Sequence, residues 1–494
     1  MIVMTRPNKP LVFIGLDGVS WPFLRYVLEK CTCHNIRGLI TRMEKKVLIS
    51  TIPPMTVIAW TSIFSGVNPG KHGVFGFLKF GKHFNNVRLV NSFDVKYPRL
   101  WEILNLRGYK QLVINVPLST PFKPFKGVGI PDWLSVRPQF FVSSDDISNS
   151  TIHTIRENIK FLSRATGKFW WFLREDKKMA LNNIVEELEF KVKIYSELIN
   201  VEDWDSVIVV FSEPDWLQHL AFIEIIREES DFMKMLEKIF REIDTFMKNV
   251  YRVYGKEAVY VIVSDHGFQL YEKLVSPNKI LLRGKLLRTN MLDLVIHSNK
   301  VFCHLSKSVL NRYISKLVRH AHRTVLNSLL TKQKINYRDS LAFMPEDISG
   351  MGIRINKKLI AEKQINHNHV RKLVCSILRR FSKKADAFSL IDYRERVYWG
   401  ENLKLAPDIV VLPNMKKGFW ITSDPFSREI SFSAVSNHSM SGIFGITDFE
   451  GLLRLKDTIT RISAYDVLQL ILYSINASIP SYHDGRELKA LVEI

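Results

Sequence analysis

The most informative stretch of the sequence reads Val259-Tyr-Val-Ile-Val-Ser-Asp-His-Gly267, an unbroken apolar run that ends on an acid, an imidazole and a glycine. A run this short and this rich in β-branched residues predicts a strand buried on both faces of a parallel sheet. In open α/β sheets, ligands bind at the carboxyl ends of the strands. We therefore expect Asp265 and His266 to lie at that edge as neighbouring oxygen and nitrogen donors.

Two further stretches follow the same pattern. One is the run Leu11-Val-Phe-Ile-Gly-Leu-Asp-Gly18, which closes on Asp17, and the other begins at Val207 and is followed by Asp215 and His219. The i, i+4 spacing places Asp215 and His219 on one face of a helical turn, as a pair of metal ligands requires. The three strand ends are thus expected to bring carboxylates and imidazoles to one edge of a sheet.

The composition is that of a globular protein with a packed core, since 46% of the 494 residues are hydrophobic and 24% are charged. Its four cysteines are too few and too scattered for a disulfide framework. The mostly polar N-terminus lacks a signal-peptide pattern, and no apolar run reaches the roughly 18 residues that span a bilayer. We therefore expect a cytoplasmic protein without a transmembrane segment, and the oligomeric state does not follow from the sequence.

The formal net charge of +21 is unevenly distributed along the chain. Between Leu281 and Ser340, twelve Lys and Arg residues stand against two acids. Such a segment suits a polyanionic substrate, nucleic acid or an acidic membrane, although a solvated basic surface explains the charge equally well. Four of these cations recur at helical spacings and would share one face of a helix: Arg312, Lys316, Arg319 and Arg323.

Thr56 begins a predicted helix that runs to Phe64 and is closed by Ser65 and Gly66. The preceding pair Pro53-Pro54 predicts an extended backbone before the helix. A helix N-terminus favours an oxyanion or a phosphate, but a threonine at this position is also an ordinary helix cap. From this stretch alone, the cap is the better interpretation.

The pattern divides the chain into three parts. Residues 1–271 and 396–494 are expected to form the two parts of one α/β core, with a mostly parallel central sheet and helices on both faces. Residues 272–395 are basic and helical, and no strand among them ends in ligand-type residues, so we interpret them as an inserted cap. Ser436 to Ile446 then supplies a loop histidine, His438, before a final strand.

Taken together, the motifs resemble the alkaline phosphatase superfamily, and within it the type I phosphodiesterase/nucleotide pyrophosphatase family. They are, in order, Asp17-Gly18, Thr56 before Gly66-Val-Asn-Pro-Gly-Lys-His-Gly73, Asp215-x-x-x-His219, Ser264-Asp-His-Gly267, Ala406-Pro-Asp408, His438 with Gly442, and Asp484-Gly-Arg486. Each motif alone is common, whereas the ordered set covers nearly the whole chain and is specific. The resemblance implies an alkaline-phosphatase-like three-layer sandwich with an inserted cap.

The resemblance also implies two divalent metal ions, Zn²⁺ with Mn²⁺ as the alternative. Their implied ligands are Asp215, His219 and His438 for one ion, and Asp17, Asp265, His266 and the Thr56 oxygen for the other. Phosphoryl transfer requires charge to be neutralised on the attacking and leaving oxygens, which two metals roughly 4 Å apart can do. Coordination would also make the Thr56 hydroxyl the nucleophile, and this overrides its interpretation as a cap alone.

The chain departs from the family two residues after the nucleophile. Nucleotide pyrophosphatases have Pro-Asn there, and the amide helps to hold a phosphoryl oxygen, whereas the corresponding residues of this chain are Ile58 and Ala59. The backbone N–H groups of Val57 and Ile58 are the candidates to take its place.

The predicted function is metal-dependent hydrolysis of phosphodiester or phosphate-ester bonds, nucleotide pyrophosphates among them, through a phospho-threonine intermediate. The alternatives within the superfamily are a phosphomonoesterase and a sulfatase, although the Cys/Ser-x-Pro-x-Arg motif of sulfatases is absent around Thr56. From a different class, the fold could serve as a non-catalytic module that binds anions or nucleic acid. The complete ligand set argues against that alternative.

Overall fold

The computed structural model describes residues 9–81, 87–135, 139–143, 147–165, 176–290, 334–345, 351–447, 449 and 453–493. The strands are β1 (Leu11–Leu16), β2 (Glu44–Ile49), β3 (Leu78–Phe80), β4 (Val87–Leu89), β5 (Gln111–Ile114), β6 (Gly127–Ile130), β7 (Phe141–Val142), β8 (Ser206–Phe211), β9 (Val259–Val263), β10 (Gly267–Val275), β11 (Ala342–Phe343), β12 (Gly352–Ile355), β13 (Phe388–Tyr393), β14 (Ile409–Pro413), β15 (Phe419–Ile421), β16 (Ile430–Ser439), β17 (Ser441–Thr447) and β18 (Arg461–Ser463). The helices are α1 (Trp21–Lys30), α2 (His34–Ile40), α3 (Thr56–Ser65), α4 (Pro69–His72), α5 (Leu100–Asn105), α6 (Asn149–Ala165), α7 (Lys177–Asn200), α8 (Glu213–Ile226), α9 (Ser230–Tyr254), α10 (Pro277–Arg283), α11 (Lys357–Glu362), α12 (His367–Ala385), α13 (Arg394–Val397), α14 (Val467–Ser474) and α15 (Leu488–Leu491). Among the helices of these described ranges, none is both long and apolar enough to cross a membrane.

Nine strands form the central sheet in the order β18-β2-β17-β9-β1-β8-β5-β6-β7. The pairings of β18 with β2, β9 with β1, β1 with β8, β8 with β5 and β5 with β6 are parallel. Strand β17 is antiparallel to both β2 and β9, and β7 is antiparallel to β6. The sheet is thus mostly parallel, as predicted, and β1 lies between β8 and β9, so the three strands with acidic ends are neighbours.

Strand β1 shows why both faces of this sheet are covered. Successive side chains of a strand point to opposite faces. Val12, Ile14 and Leu16 pack in an apolar cluster with α1, α7 and α9. Leu11 and Phe13 pack in a second cluster with α3, α5 and α14. Apolar residues at consecutive positions therefore bury two faces at once, which gives the predicted sandwich of helices, sheet and helices.

A smaller sheet has the strand order β11-β12-β14-β13 and a separate apolar cluster, which it shares with α10, α11 and α12. Strand β14 begins at Ile409, so this sheet joins strands from within residues 272–395 to a strand that follows them. The interpretation of residues 272–395 as a cap stays a prediction. The four cations predicted to share a helix face, Arg312, Lys316, Arg319 and Arg323, lie outside the described residues.

The smaller sheet and its apolar cluster are called the smaller body below. A three-stranded sheet in the order β15-β10-β16 connects this smaller body to the carboxyl edge of the central sheet. Strand β10 starts at Gly267, immediately after His266, and pairs antiparallel with β16 so that Phe268 is opposite His438. The prediction that His438 lies in a loop is therefore wrong. The polar sequence Ser436-Asn-His-Ser439 gives no strand signal of its own, and its extended backbone results from pairing with β10.

Candidate active site

The carboxyl ends of β1, β8 and β9 supply the acids of the site. Asp17 directly follows β1, Asp265 follows β9 after one residue, and Asp215 lies in the first turn of α8, which follows β8. All three side chains are buried. Because the three strands are neighbours, their acids meet at one edge of the sheet, as the sequence predicted.

The predicted ligands form two groups, and within each group the potential ligand atoms lie within 4.8 Å of one another. The first group is Asp215, His219 and His438, and the second is Asp17, Asp265 and His266. The two groups are adjacent, since the rings of His266 and His438 stack with their centroids 3.7 Å apart. The hydroxyl oxygen of Thr56 lies 3.4 Å from Nε2 of His266, so the threonine adjoins the second group.

Thr56 is the first residue of α3, and its hydroxyl faces the site. The N-cap residue is Met55, whose side chain makes no capping hydrogen bond. Thr56 is thus not the cap that the local sequence favoured. Of the two amides predicted to bind a phosphoryl oxygen, the Ile58 N–H already donates to the Met55 carbonyl at 2.9 Å. Val57 is the second residue of α3, so the helix has no residue four positions earlier to accept from its N–H.

Besides Thr56, helix α3 contributes Trp60 to the site, and this residue was not predicted from the sequence. Trp60 lies one turn after Thr56, on the same face, and its indole N–H donates to Oδ2 of Asp17 at 3.2 Å. The i, i+4 spacing from the nucleophile candidate is the signal that could have identified it. Gly15 makes room for this indole, because a Cβ atom there would lie 2.7 Å from Cη2 of Trp60.

Backbone carbonyls fix the protons of two imidazoles. Nδ1 of His438 is 2.9 Å from the carbonyl oxygen of Pro54, and Nδ1 of His266 is 3.3 Å from that of Gly267. A carbonyl oxygen only accepts, so each Nδ1 donates a proton to it, and in a neutral imidazole Nε2 then presents the lone pair. No sequence pattern pointed to the contact of Pro54.

The lone pairs of these imidazoles converge on carboxylate oxygens, which are also acceptors. Nε2 of His266 lies 3.3 Å from Oδ2 of Asp265 and 3.6 Å from Oδ1 of Asp17. These two oxygens, and Oδ1 of Asp215, are buried without a hydrogen-bond donor. Buried acceptors that face one another are stabilised by a cation, and imidazole nitrogens with carboxylate oxygens are a set that Zn²⁺ binds. The residues therefore fit two metal ions.

The pKa values of these groups agree with this arrangement. Burial, followed by the charges of Asp265 and Asp215, raises the pKa of Asp17, and burial raises the pKa of Asp265 to about 7. Burial also lowers the pKa of His219 to about 4 and holds the pKa of His266 well below its ordinary value. The imidazoles of His219 and His266 are thus kept in the neutral form that binds metals, while the carboxyl groups of Asp265 and Asp215 repel that of Asp17.

Two other acids of the motifs bond to residues outside the two ligand groups. Asp484 accepts a hydrogen bond from the Asn68 N–H at 2.8 Å and pairs with Lys71 at 2.7 Å. In the smaller body, Asp408 accepts from the Ile355 N–H at 2.9 Å. These acids have structural partners and belong to neither group.

The sequence matches the profile of the family described as type I phosphodiesterase/nucleotide pyrophosphatase over residues 11–443. Among curated proteins, none matches it. A structure of alkaline phosphatase PafA is similar with a TM-score of 0.59 at 13% identity, covering 99% of each chain. A structure of phosphonoacetate hydrolase from Sinorhizobium meliloti 1021 is similar with a TM-score of 0.56 at 12% identity, covering 96% of this chain and 97% of that one. A structure of murine ectonucleotide pyrophosphatase/phosphodiesterase 5 is similar with a TM-score of 0.53 at 12% identity, covering 98% of this chain and 100% of that one.

At such low identities the structural similarities establish the fold, and the family follows from the profile, which covers most of the chain. The matched range contains the three buried acids at the carboxyl edge of the sheet, Asp17, Asp215 and Asp265. The chain belongs to the type I phosphodiesterase/nucleotide pyrophosphatase family, and it is a hydrolase of ester bonds.

Proposed function

We propose that this enzyme hydrolyses phosphodiester or phosphate-ester bonds with the help of two divalent metal ions and with Thr56 as the nucleophile. The observation that carries the proposal is the position of the Thr56 hydroxyl, 3.4 Å from Nε2 of His266 and beside two adjacent groups of ligand-type residues. Each group combines carboxylate and imidazole donors, and the buried carboxylate oxygens lack hydrogen-bond donors. A hydroxyl in such surroundings is suited to attack on phosphorus.

The reaction has two displacement steps. The Thr56 oxygen forms a bond to phosphorus while the bond from phosphorus to the leaving oxygen breaks, and a water molecule then displaces the Thr56 oxygen. The Val57 N–H at the start of α3 donates to a phosphoryl oxygen, and the helix dipole favours the negative charge there. When bound, the metal ions supply positive charge to the attacking and leaving oxygens. The products are an alcohol and a phosphate, and Thr56 regains its hydroxyl.

Zn²⁺ is the proposed metal, with Mn²⁺ as the alternative, because imidazole and carboxylate donors suit both. The proposed substrate is a small phosphorylated molecule, and a phosphodiester and a phosphomonoester both remain candidates. We also propose a cytoplasmic location, on the sequence pattern alone. Recovery of the native protein from the secreted or membrane fraction would contradict that location.

A hydrolysis screen tests the proposed function. The substrates are bis-p-nitrophenyl phosphate, p-nitrophenyl phosphate and p-nitrophenyl sulfate, each with the native, the chelator-treated and the Zn²⁺- or Mn²⁺-restored protein. We expect at least one phosphate ester to be hydrolysed, the activity to disappear on chelation and to return with metal. Hydrolysis of the sulfate ester alone would support a sulfatase. Absence of any metal-dependent hydrolysis, together with salt-dependent nucleic-acid binding, would favour the non-catalytic module.

We further propose that the basic segment Leu281–Ser340 selects substrates with charge beyond the reacting phosphate. Changing four cations to glutamine, Arg312, Lys316, Arg319 and Arg323, should raise KM severalfold for a polyanionic substrate and leave a small diester unaffected. The reason is that attraction between opposite charges raises the local concentration of a polyanion near the enzyme. Added salt screens this attraction, so it should also reduce kcat/KM for the polyanionic substrate. The measurement compares KM for both substrates at several salt concentrations.

A matched control removes four exposed cations from α12, a helix with no acidic residue: Lys372, Arg380, Lys383 and Lys384. The control has the same change in net charge, so it separates a local effect from a general one. Equal losses in the two variants, or equal effects on the two substrates, would show that the basic segment does not select the substrate.

A further inference from the structure

Phe268 contacts imidazoles from both groups of ligands. Its ring centroid lies 4.8 Å from that of His219, with the planes at 84°, and 5.2 Å from that of His438, with the planes at 67°. The centroid of His266 is 6.2 Å away. Phe268 itself is buried. One apolar side chain thus packs against three histidines that belong to two different groups.

The ring of Phe268 is held from several sides. Strand pairing places Phe268 directly opposite His438 on β16. A Cβ atom at Gly18 would lie 3.0 Å from Cε2 of Phe268, so the backbone that follows β1 closes closely over the ring. Phe222 of α8 packs against it with centroids 6.1 Å apart. The ring cannot rotate away from the imidazoles without displacing one of these neighbours.

We infer that Phe268 is a positioning residue, which fixes the planes of the three imidazoles and keeps water from their faces. The inference rests on the proposed function, since it concerns how the metal ligands are oriented. The contact of Nδ1 with a backbone carbonyl fixes one atom of the His266 ring and one atom of the His438 ring, and each ring can still tilt about that atom. Edge-to-face packing of the His438 ring against Phe268, and the tilted contact of the His266 ring with it, restrict this tilt, so that each Nε2 keeps its direction. Groups around a metal site that orient its ligands commonly change metal affinity by about 10- to 100-fold when altered.

The test compares Phe268→Leu with Phe240→Leu. Phe240 is a buried residue of α9 that packs against Phe23 in the core, so its variant measures the effect of removing a ring from the core in general. Zn²⁺ affinity is measured by chelator competition, and ligand geometry by the absorption spectrum of the Co²⁺-substituted protein. We expect Phe268→Leu to weaken the binding of both ions about tenfold and to shift the Co²⁺ bands, and Phe240→Leu to do neither.

Phe268→Met provides a second variant if Phe268→Leu does not fold, because methionine fills a similar volume without a ring. The same loss of affinity and the same spectral shift are expected for it. Wild-type affinity and an unchanged spectrum in the folded Phe268 variants would overturn the inference while leaving the metal site in place. Failure of the wild-type protein to take up any metal would instead overturn the proposed function, and the inference with it.

Discussion

Replacing Thr56 with alanine should lower kcat by roughly three orders of magnitude or more, because the variant loses the hydroxyl that we propose attacks phosphorus. Thr56→Ser keeps a hydroxyl and should retain part of the activity. The fold should tolerate both changes, since Met55 occupies the N-cap position and the Thr56 side chain is not the cap of α3. The measurements are steady-state kinetics and mass spectrometry of the quenched reaction. A phosphorylated peptide that contains residue 56 is expected from the wild type and absent from Thr56→Ala.

Thr61→Ala is the matched control on the same helix. Thr61 is also buried, and its hydroxyl donates to the Val57 carbonyl at 2.6 Å within α3. Its loss removes a side-chain hydrogen bond but no reacting group, so near-wild-type kcat is expected. Unchanged turnover in Thr56→Ala would rule out the threonine as nucleophile and favour direct attack by water.

Replacing a single ligand, in either of the two groups, should nearly abolish turnover and reduce the metal content. Asp215→Asn acts on the first group and His266→Ala on the second, and each should lower metal affinity and kcat/KM on the order of 100-fold or more. Changes around the ligands alone can cost 10- to 100-fold, so the loss of a ligand should cost at least as much. Bound metal is measured by elemental analysis, and activity is measured at metal concentrations that limit the wild type.

A control for this pair comes from the same edge of the sheet. Asp132 is fully buried, but its oxygens accept hydrogen bonds from the Leu134 N–H at 2.7 Å and the Thr120 hydroxyl at 3.3 Å. Asp132→Asn should therefore keep the metal content and activity of the wild type. Full activity in Asp215→Asn or His266→Ala would remove the two-metal proposal.

The central sheet and the meeting of its acids could be predicted because they depend on local pattern and on one topological rule. Runs of consecutive apolar residues in β1, β8 and β9 require burial on both faces, and this favours a parallel sheet. Parallel strands then bring their carboxyl ends to one edge, which places Asp17, Asp215 and Asp265 at that edge, and the position of β1 between β8 and β9 brings the three acids into contact. The assignment of the ligands to two groups came from the resemblance to the family.

The remaining features depend on contacts between distant parts of the chain. His438 reaches the site because β16 pairs with β10, and half-exposed polar residues in β16 give no alternating pattern from which that pairing could be read. The bonds of Trp60 to Asp17 and of Pro54 to His438 follow from how α3 packs against the sheet. A side chain such as Phe268 carries no chemical group that draws attention to it, and its role is visible only in the distances around the imidazoles.

Gly15 has a consequence for which sequences can encode this enzyme. It lies within β1, where a methyl group would meet both the Trp60 indole and the side chain of Val210 at less than 3 Å. Even alanine would displace the indole that donates to Asp17, so the constraint that this hydrogen bond places on the sequence extends to a position that has no side chain. In a population, a variant at residue 15 would behave as a loss-of-function allele although the codon specifies no reactive group. A larger residue at position 15 therefore requires smaller side chains in place of both Trp60 and Val210.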